Sequence, residues 1–366
     1  MKHAIALDIG TTNIQAFLLD IPTNRPSDYL TIRNRQAVYG SDVITRLGRS
    51  IKDVSVRDKL RSGVIGDIEI LIGLLSKRMK TGGDRLDRVI ACGNSAMHHL
   101  LLGLPLEKLA LAPFMPSHRK TVYRTTLGTM GIDSPAKDAP FIFLPNLGGF
   151  VGSDALCVIA DTGMQKAKGL TLAIDLGTNG EIILGRKGKI LVASTSAGPA
   201  FESWHIKCGI PGSDIINVMS GLFDERVIDK GGFMKTGETT CHLPNGVIRV
   251  TQSDVREFQL AKAAIAAGVA ILRKAFKNER IKKVYVTGVF GSKLNKRNAR
   301  RTGILPGDVA LGNVTVRPKA ALNGAKILLK SKNLNTALHA LMRGIKHVEL
   351  HKTPDFQEIY AACMSF

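Results

Sequence analysis

The stretch Ala6-Leu7-Asp8-Ile9-Gly10-Thr11-Thr12-Asn13 decides the fold, because the chain repeats its pattern as Ala173-Ile174-Asp175-Leu176-Gly177-Thr178-Asn179-Gly180. Each copy places an aspartate two residues before a Gly-Thr pair. Short apolar runs flank both copies, so each copy predicts a β-hairpin that turns at Gly-Thr. Two similar hairpins in one chain predict two similar subdomains.

The residue types in these hairpins are suited to binding a polyphosphate. Glycine lets the backbone approach a ligand closely, and the amides and hydroxyls of a turn can hold phosphate oxygens. The aspartate before each turn can point its carboxylate at the same ligand, where hydrated Mg²⁺ neutralises the phosphates. A single Asp-x-Gly-Thr is also a common tight turn, but the second copy favours phosphate binding. The chain contains no Walker A pattern, which argues against a P-loop enzyme.

Length and composition predict a soluble globular protein of about two domains. The chain has 366 residues, of which 44% are hydrophobic and 22% are charged. Asp8 lies inside the first apolar run, which is unlike a signal peptide. The longest candidate for a membrane span, Ala263 to Leu272, is too short to cross a bilayer. We therefore expect a cytoplasmic protein that does not associate with a membrane.

The net charge of +21 predicts acidic partners, which can be nucleotides, nucleic acid or an acidic protein. The basic residues are spread along the chain, and their densest cluster, Lys293 to Arg301, has no interleaved aromatic residues. A solvated helix face is the favoured interpretation of that cluster, so nucleic-acid binding is the weaker alternative.

The cysteine spacing predicts that this chain holds no iron–sulfur cluster. The five cysteines are Cys92, Cys157, Cys208, Cys241 and Cys363, and none of them forms a CxxC pair or another ligand run. We expect reduced thiols, most of them buried. Any redox centre must then come from a partner.

Several single residues are further candidates for a nucleotide site. Glu181, just past the second turn, or Glu202 can orient an attacking water, although a lone glutamate is more often a surface or capping residue. Lys262 interrupts a run of small residues in a helix that begins near Thr251, and its amine can reach a nucleotide or stay in water above an apolar stem. Asp154 is either an inward-facing acid or a helix residue that stabilises the N-terminal dipole.

A third turn lies between a strand and a helix in the second half of the chain. It comprises Gly288-Val289-Phe290-Gly291 and is followed by Ser292. A glycine turn that leads from a strand into a helix presents backbone amides and a helix N-terminus to a nucleotide. We therefore add Gly288, Phe290, Gly291 and Ser292 to the candidate nucleotide-binding residues.

The pattern also predicts the secondary structure between these turns. Helices are expected over 95–102, 153–162, 251–276, 320–329 and 334–344, with one helix from Ser292 to Arg301. The segment from Pro105 to Lys137 is expected to be irregular, and the segment from Gly209 to Gly246 to hold loops and short strands.

The two hairpins and the third turn resemble the actin, sugar kinase and Hsp70 ATPase superfamily. A narrower resemblance, to the ATP-dependent reductive activators of corrinoid proteins, runs through nearly the whole chain. The stretches that carry it are Ser41-Asp42-Val43-Ile44-Thr45-Arg46, Gly93-Asn94-Ser95-Ala96-Met97-His98-His99-Leu100, Leu144-Pro145-Asn146, Phe150-Val151-Gly152-Ser153-Asp154, Ile174 to Glu181, Ala197-Gly198-Pro199-Ala200-Phe201-Glu202 and Gln259-Leu260-Ala261-Lys262-Ala263-Ala264-Ile265.

This resemblance implies a protein that uses ATP and Mg²⁺ to help return the cob(II)amide of a corrinoid methyl-carrier protein to cob(I)amide. Family members usually carry an iron–sulfur domain, whereas this chain begins directly at the first hairpin, so the resemblance implies a separate electron donor. The resemblance implies that Asp8 and Asp175 hold Mg²⁺ through water, and with Glu181 they are our candidate catalytic residues. It also implies that phosphate is bound by Gly10, Thr11, Thr12, Asn13, Gly177, Thr178, Asn179 and Gly180, and that Gly288, Phe290 and Gly291 shape the adenosine side. Lys262 and Ser292 complete the candidate nucleotide-binding residues.

The implied fold class is α/β, a duplicated actin-like (ribonuclease H-like) ATPase fold with two subdomains around a nucleotide cleft. We expect residues 1–160 in the first subdomain and 161–366 in the second, with helices of 320–366 returning in part to the first. Val289 stands where the family has a second glycine, and the segment near Met219 to Leu222 is short. A small-molecule kinase and a catalytically weakened nucleotide- or partner-binding module therefore stay open as alternatives, as does a homodimer.

Overall fold

The computed structural model describes residues 2–23, 25–40, 42–79, 85–111, 114–177, 180–195, 197, 212–243, 246–288 and 290–366. The strands in these ranges are β1 (Lys2–Ile9), β2 (Asn13–Asp20), β3 (Arg25–Arg33), β4 (Arg85–Gly93), β5 (Tyr123–Thr126), β6 (Pro140–Phe143), β7 (Thr171–Leu176), β8 (Gly180–Arg186), β9 (Lys189–Thr195), β10 (Glu238–Leu243), β11 (Gly246–Thr251), β12 (Lys283–Thr287), β13 (Val314–Val316) and β14 (Ile345–His347).

The α-helices in the same ranges are Val43–Lys52, Val54–Ser76, Ser95–Leu102, Glu107–Ala110, Ser153–Thr162, Gly212–Asp224, Gln252–Lys274, Lys296–Arg301, Ala320–Leu329, Leu334–Met342 and Phe356–Ala362. Short 3-10 turns span Arg35–Tyr39, Met164–Lys166, Gly291–Lys293, Leu311–Asn313 and Leu350–Lys352.

The two main sheets repeat one strand order. In the first sheet the order is β3-β2-β1-β4-β6, with β5 at its edge, and β2 is antiparallel to β1 and β3 while β1, β4 and β6 are parallel. In the second sheet β9-β8-β7-β12-β13 follow in the same way, with β8 antiparallel to β7 and β9 and with β7, β12 and β13 parallel. The predicted duplication of an α/β unit is thereby confirmed.

The register of the hairpins repeats as well. Asp8 pairs with Gln15 across β1 and β2, and Asp175 pairs with Glu181 across β7 and β8. On the neighbouring parallel strands, Asp8 pairs with Cys92 and Asp175 pairs with Thr287. The next residues on those strands, Gly93 and Gly288, therefore hold equivalent places. The quoted repeat therefore extends to the strand beside each hairpin.

Each half has its own apolar core. The first core packs β1, β2 and β4 against the long helix Val54–Ser76 through residues such as Ile5, Leu7 and Ile68. The second packs β7 and β8 against Gln252–Lys274 through residues such as Ile174, Ile182 and Phe258. Burial of these side chains supplies the main favourable term for folding each half.

The chain divides into two compact units. One comprises residues 1–165 with 320–347, and the other comprises residues 166–319 with 348–366. Within the described ranges, no helix combines the length and the low polarity that a transmembrane span requires.

Three secondary-structure predictions are wrong. The segment 105–137 contains the helix Glu107–Ala110 and the strand β5, which pairs with β6. The segment 209–246 contains the 13-residue helix Gly212–Asp224, whose Ile215, Ile216 and Met219 are buried on one side. The single helix expected from Ser292 to Arg301 is instead a 3-10 turn followed by Lys296–Arg301, because Asn295 caps the later helix by accepting from the amides of Arg297 and Asn298.

Candidate functional site: two aspartate–glycine turns

The first turn connects β1 to β2 through Gly10, Thr11 and Thr12. The Gly10 amide donates to the Asn13 carbonyl over 3.0 Å, which closes the turn. A Cβ atom on Gly10 would lie 2.7 Å from that same carbonyl oxygen, so a larger residue cannot occupy the position without moving the turn. Asp8 lies on β1 just before this turn.

Three successive carbonyl groups of the turn accept hydrogen bonds from the surrounding protein. The Gly10 oxygen accepts from Asn34 Nδ2 over 2.9 Å, and the Thr12 oxygen accepts from the Asn34 amide over 2.9 Å. The Thr11 oxygen accepts from Arg46 Nη1 over 2.8 Å. In a trans peptide the N–H points opposite to the C=O, so the amides that follow these carbonyls face away from Asn34 and Arg46. Such a row of amides is suited to binding an anion.

Buried side chains from two other segments hold the turn in this orientation. Arg46 is fully buried and also donates through Nε to the Gly40 carbonyl over 2.8 Å. Asn94 donates through Nδ2 to Thr11 Oγ1 over 3.0 Å, while its Oδ1 caps the helix Ser95–Leu102. Both residues lie in stretches that carry the family resemblance, but no sequence pattern indicates their contacts with the turn.

The second turn connects β7 to β8 and leads from Leu176 to Gly180. Thr195 donates through Oγ1 to the Gly180 carbonyl over 2.9 Å, and a Cβ on Gly180 would lie 2.5 Å from that hydroxyl. Glu181 is buried, with 7% of its surface exposed, and lies opposite Asp175 in the register. Of the predicted phosphate residues in this turn, Thr178 and Asn179 lie outside the described residues.

The third turn lies directly against the end of β7. Gly288 has a φ of +85°, and a Cβ there would collide with Asp175 Oδ1 and the Leu176 carbonyl. The Phe290 amide donates to that carbonyl over 3.1 Å, and a Cβ on Gly291 would lie 2.8 Å from Val286 Cγ1. The structure therefore brings Gly288, Phe290 and Gly291 together with Asp175. Val289 and the side chain of Ser292 lie outside the described residues.

The first half has a matching glycine beside its own hairpin. A Cβ on Gly93 would lie 2.5 Å from the Ile9 carbonyl oxygen, and Ile9 occupies the place of Leu176 in the repeat. In both halves, a glycine on the neighbouring parallel strand lets the backbone pass against the end of the aspartate strand. The close approach is thus a property of both copies.

A second acid lies near Asp8. The helix Ser153–Thr162 begins where a Cβ on Gly152 would collide with the Gly93 carbonyl, and Asp154 lies in its first turn. Burial raises the pKa of the Asp154 carboxyl to about 6. Its Oδ1 accepts from the Ala155 amide over 2.8 Å, within the first turn of the helix.

Two buried thiols lie beside these acids. Cys92 Sγ is 3.9 Å from Asp8 Oδ1, on the strand next to β1. A hydrogen bond with Cys157 and burial raise the pKa of the Cys92 thiol, and the carboxylates of Asp8 and Asp154 act in the same direction. Cys92 therefore stays a neutral thiol that does not compete with Asp8 for a cation.

Lys262 contacts Ser365 and Phe366 near the end of the chain. It is 2% exposed, its Nζ donates to the Ser365 carbonyl, and that nitrogen lies 5.3 Å from the centre of the Phe366 ring. Burial lowers the pKa of its amine to about 8. Its assignment to a nucleotide stays a prediction.

The residues around Asp8 fit a hydrated magnesium ion. No group of three or more His, Cys, Asp or Glu side chains in the described part of the chain forms a cage for a metal. Magnesium usually binds through one or two carboxylates and keeps several waters, so it needs no such cage. Gln15 Oε1 is buried opposite Asp8 and accepts no hydrogen bond from the described residues, which leaves an acceptor for a metal-bound water.

Comparison with known proteins assigns this arrangement to a family. Residues 3–167 match the family model of the RACo middle region, and residues 169–211 and 208–366 match that of the C-terminal domain of RACo, the ASKHA domain. The chain is 30% identical to the corrinoid activation enzyme RamQ of Eubacterium limosum, over 98% of this chain and 69% of that protein.

Two further relatives agree with the family models. A [Co(II) methylated amine-specific corrinoid protein] reductase of Methanosarcina barkeri is 25% identical over 100% of this chain and 77% of its own length. A solved structure described as a reductive activator for corrinoid, iron–sulfur protein superimposes with a TM-score of 0.83 at 25% identity, over 100% of this chain and 66% of that one. The chain thus spans about two thirds to three quarters of these relatives.

These matches confirm the resemblance and the fold class that the motifs predicted. The two family models together cover almost every residue, and they meet at 167–169, between the helix Ser153–Thr162 and β7. The chain therefore belongs to the RACo family of reductive activators of corrinoid proteins and comprises its middle region followed by its ASKHA domain.

Proposed function

We propose that this protein binds and hydrolyses ATP to assist the reductive reactivation of a corrinoid methyl-carrier protein. The observation that carries the proposal is the match to corrinoid activators along the whole chain, together with two aspartate–glycine turns in one register. The chain acts in the cytoplasm, and a separate donor supplies the electron.

The first turn binds phosphate through the amides that follow Gly10, Thr11 and Thr12. Its support is the orientation of those carbonyls, which Asn34 and Arg46 hold on the opposite side. A preorganised row of donors needs no rearrangement when the anion binds, and it therefore stabilises the charge that develops on a transferring phosphoryl group. The second turn, from Gly177 to Gly180, has the equivalent role in the other half.

Asp8 and Asp175 hold magnesium through its waters. The ion neutralises phosphate charge when it is bound. We assign the orientation of the attacking water to Glu181, which is buried opposite Asp175, and Asp154, in the first turn of the helix Ser153–Thr162, is a second acid that could accept a proton. Gly288, Phe290 and Gly291 shape the adenosine side because they pack on the strand that carries Asp175.

The energetic role of ATP is to favour the state in which an uphill electron transfer occurs. One electron from the donor reduces cob(II)amide to cob(I)amide, while ATP and water give ADP and phosphate. A ligand shifts a conformational equilibrium only by its difference in affinity for the two states. ATP and ADP must therefore bind the corrinoid-competent state with different affinities.

The test follows the cobalt oxidation state in purified components. A panel of cob(II)amide corrinoid proteins is mixed with this chain and a strong one-electron reductant, and absorbance is recorded with ATP, with ADP and without nucleotide. We expect cob(I)amide with ATP only, and a nucleotide-dependent complex in a pull-down. An Asp175→Asn variant should lose both effects, whereas Asp133→Asn, which changes an exposed acid, should retain them. If nucleotide alters neither the complex nor the cobalt spectrum with any panel member, the proposed function is wrong.

A further inference from the structure

The duplicated hairpins differ at the position opposite each aspartate. Gln15 lies opposite Asp8, where the second hairpin has Glu181 opposite Asp175. Side chains directly opposite each other on antiparallel strands project from the same face of the sheet. The Gln15 amide therefore lies on the side of β1 from which the Asp8 carboxylate projects.

The Gln15 side chain has an acceptor with no partner in the described protein. Its Oε1 is buried, and no described donor reaches it. An unsatisfied buried acceptor costs about 1–3 kcal/mol, and one that persists usually binds an unseen water or ion. A donor is therefore expected at this oxygen when the site is loaded.

Hydrogen-bonding chemistry decides whether the nucleotide phosphate or a magnesium-bound water supplies that donor. The oxygens of a nucleotide phosphate only accept hydrogen bonds, so they cannot satisfy Oε1. A water bound to Mg²⁺ is a strong donor, and Asp8 is the neighbouring carboxylate that would hold such a water. The Gln15 Nε2 group can then donate to a phosphate oxygen, which a carboxylate at this position would repel.

We propose that Gln15 is a positioning residue for the magnesium–nucleotide pair, its Oε1 accepting from a metal-bound water and its Nε2 donating to phosphate. The inference rests on the proposed function and adds a role for a residue of the first hairpin. The neutral amide of Gln15 joins metal and phosphate, at the place in the register that Glu181 occupies in the second hairpin.

Two substitutions separate these interactions. Gln15→Met keeps the length of the side chain and removes both polar groups, while Gln15→Glu keeps an acceptor and adds a negative charge. Gln165→Met is the matched control, because Gln165 Oε1 is also buried without a partner among the described residues but lies in the 3-10 turn Met164–Lys166, outside both hairpins.

The experiment measures metal and nucleotide binding without turnover. Mn²⁺ replaces Mg²⁺ and is followed by electron paramagnetic resonance with a non-hydrolysable ATP analogue, and calorimetry gives the affinity of the analogue with Mn²⁺ or with EDTA. We expect Gln15→Met to weaken Mn²⁺ binding in the ternary complex about tenfold. Gln15→Glu should weaken analogue binding in EDTA, and Gln165→Met should match the unsubstituted chain.

Thermal unfolding distinguishes this role from a structural one. Without ligand, Gln15→Met should melt no lower than the unsubstituted chain, because it removes an unsatisfied acceptor. With Mn²⁺ and the analogue, its gain in Tm should be smaller. If both Gln15 variants bind Mn²⁺ and the analogue as the unsubstituted chain does, the assignment of Gln15 is wrong while the proposed function stands. If the unsubstituted chain binds no nucleotide, the proposed function and this assignment fall together.

Discussion

His98 is a fully buried histidine in the core of the first half. Its ring meets Phe143 edge-on, with 4.7 Å between the ring centres, and neither ring nitrogen has a partner among the described residues. Burial lowers the pKa of its imidazole to about 3. The neutral ring is therefore part of the packed core of the first half, and the stability of this half depends on pH.

The first prediction concerns that pH dependence. The unfolded chain protonates His98 below a pH of about 6.5 and the folded chain does not, so the stability that the neutral ring provides is lost as the pH falls from about 6.5 towards 3. Between pH 7.5 and pH 5 the unsubstituted chain should lose about 2 kcal/mol more than His98→Leu. Urea unfolding of both proteins measures this difference.

The control for this prediction is His339→Leu, which removes an exposed imidazole. An equal loss of stability in His98→Leu and in the unsubstituted chain would contradict the proposed cause.

At the residue scale, the sequence predicted the chemistry of the turns but not the residues that hold them. The aspartates, glycines and threonines were recognisable because the chain repeats them. Asn34, Arg46 and Asn94 were not, because they reach the first turn from positions 24, 35 and 83 residues away in sequence. Contacts of that range have no periodic signal in a single sequence.

At the scale of elements, the start of the helix Val43–Lys52 supports the first turn. Arg46 joins the Thr11 and Gly40 carbonyls, and its helix is capped by Asp42, whose Oδ1 accepts from the Thr45 amide over 2.8 Å. The turn, the loop before the helix and the helix itself are therefore coupled through one guanidinium group.

The second prediction tests this coupling. Arg46→Met keeps an apolar stem but leaves two buried carbonyls without their donor, which should lower the free energy of unfolding by about 2–4 kcal/mol. It should also weaken nucleotide binding, since the amides of the turn lose their fixed direction. Urea unfolding and calorimetry measure the two effects.

The control is Arg49→Met, on the exposed side of the same helix, which should change the free energy of unfolding by no more than about 0.5 kcal/mol. Equal effects of both variants would contradict the role of Arg46 in holding the turn.

Among the helices, local sequence signals predicted some correctly and missed others. The helix predicted over 251–276 is present as Gln252–Lys274, and a capping box of Thr251 and Asp254 fixes its start, which is a local signal in the sequence. The helix Gly212–Asp224 was missed because glycines on either side of it suggested loops, although Ile215, Ile216, Met219 and Leu222 have helical spacing and are buried. Gly221 lies within that helix, where a Cβ would meet no atom within 4 Å, so no close contact requires a glycine at this position.

At the scale of the whole molecule, the duplication explains why the short Asp-x-Gly-Thr motif was enough to predict the fold class. Two copies of Asp-x-Gly-Thr predicted two similar hairpins and two similar subdomains, and the structure has two copies of one strand order and one hairpin register. What the duplication could not reveal is how the copies differ. Gln15 in the place of Glu181 is such a difference.

The central proposal is that this chain binds a magnesium nucleotide and that Asp8 and Asp175 hold the metal through water, and equilibrium binding tests it most directly. Calorimetry with a non-hydrolysable ATP analogue and Mg²⁺ is performed on the unsubstituted chain, Asp8→Asn, Asp175→Asn and the exposed control Asp133→Asn. We predict one nucleotide per chain, at least tenfold weaker binding in either Asp8→Asn or Asp175→Asn, and no change in the control. Absence of binding to the unsubstituted chain, or binding that neither aspartate substitution weakens, would contradict the claim.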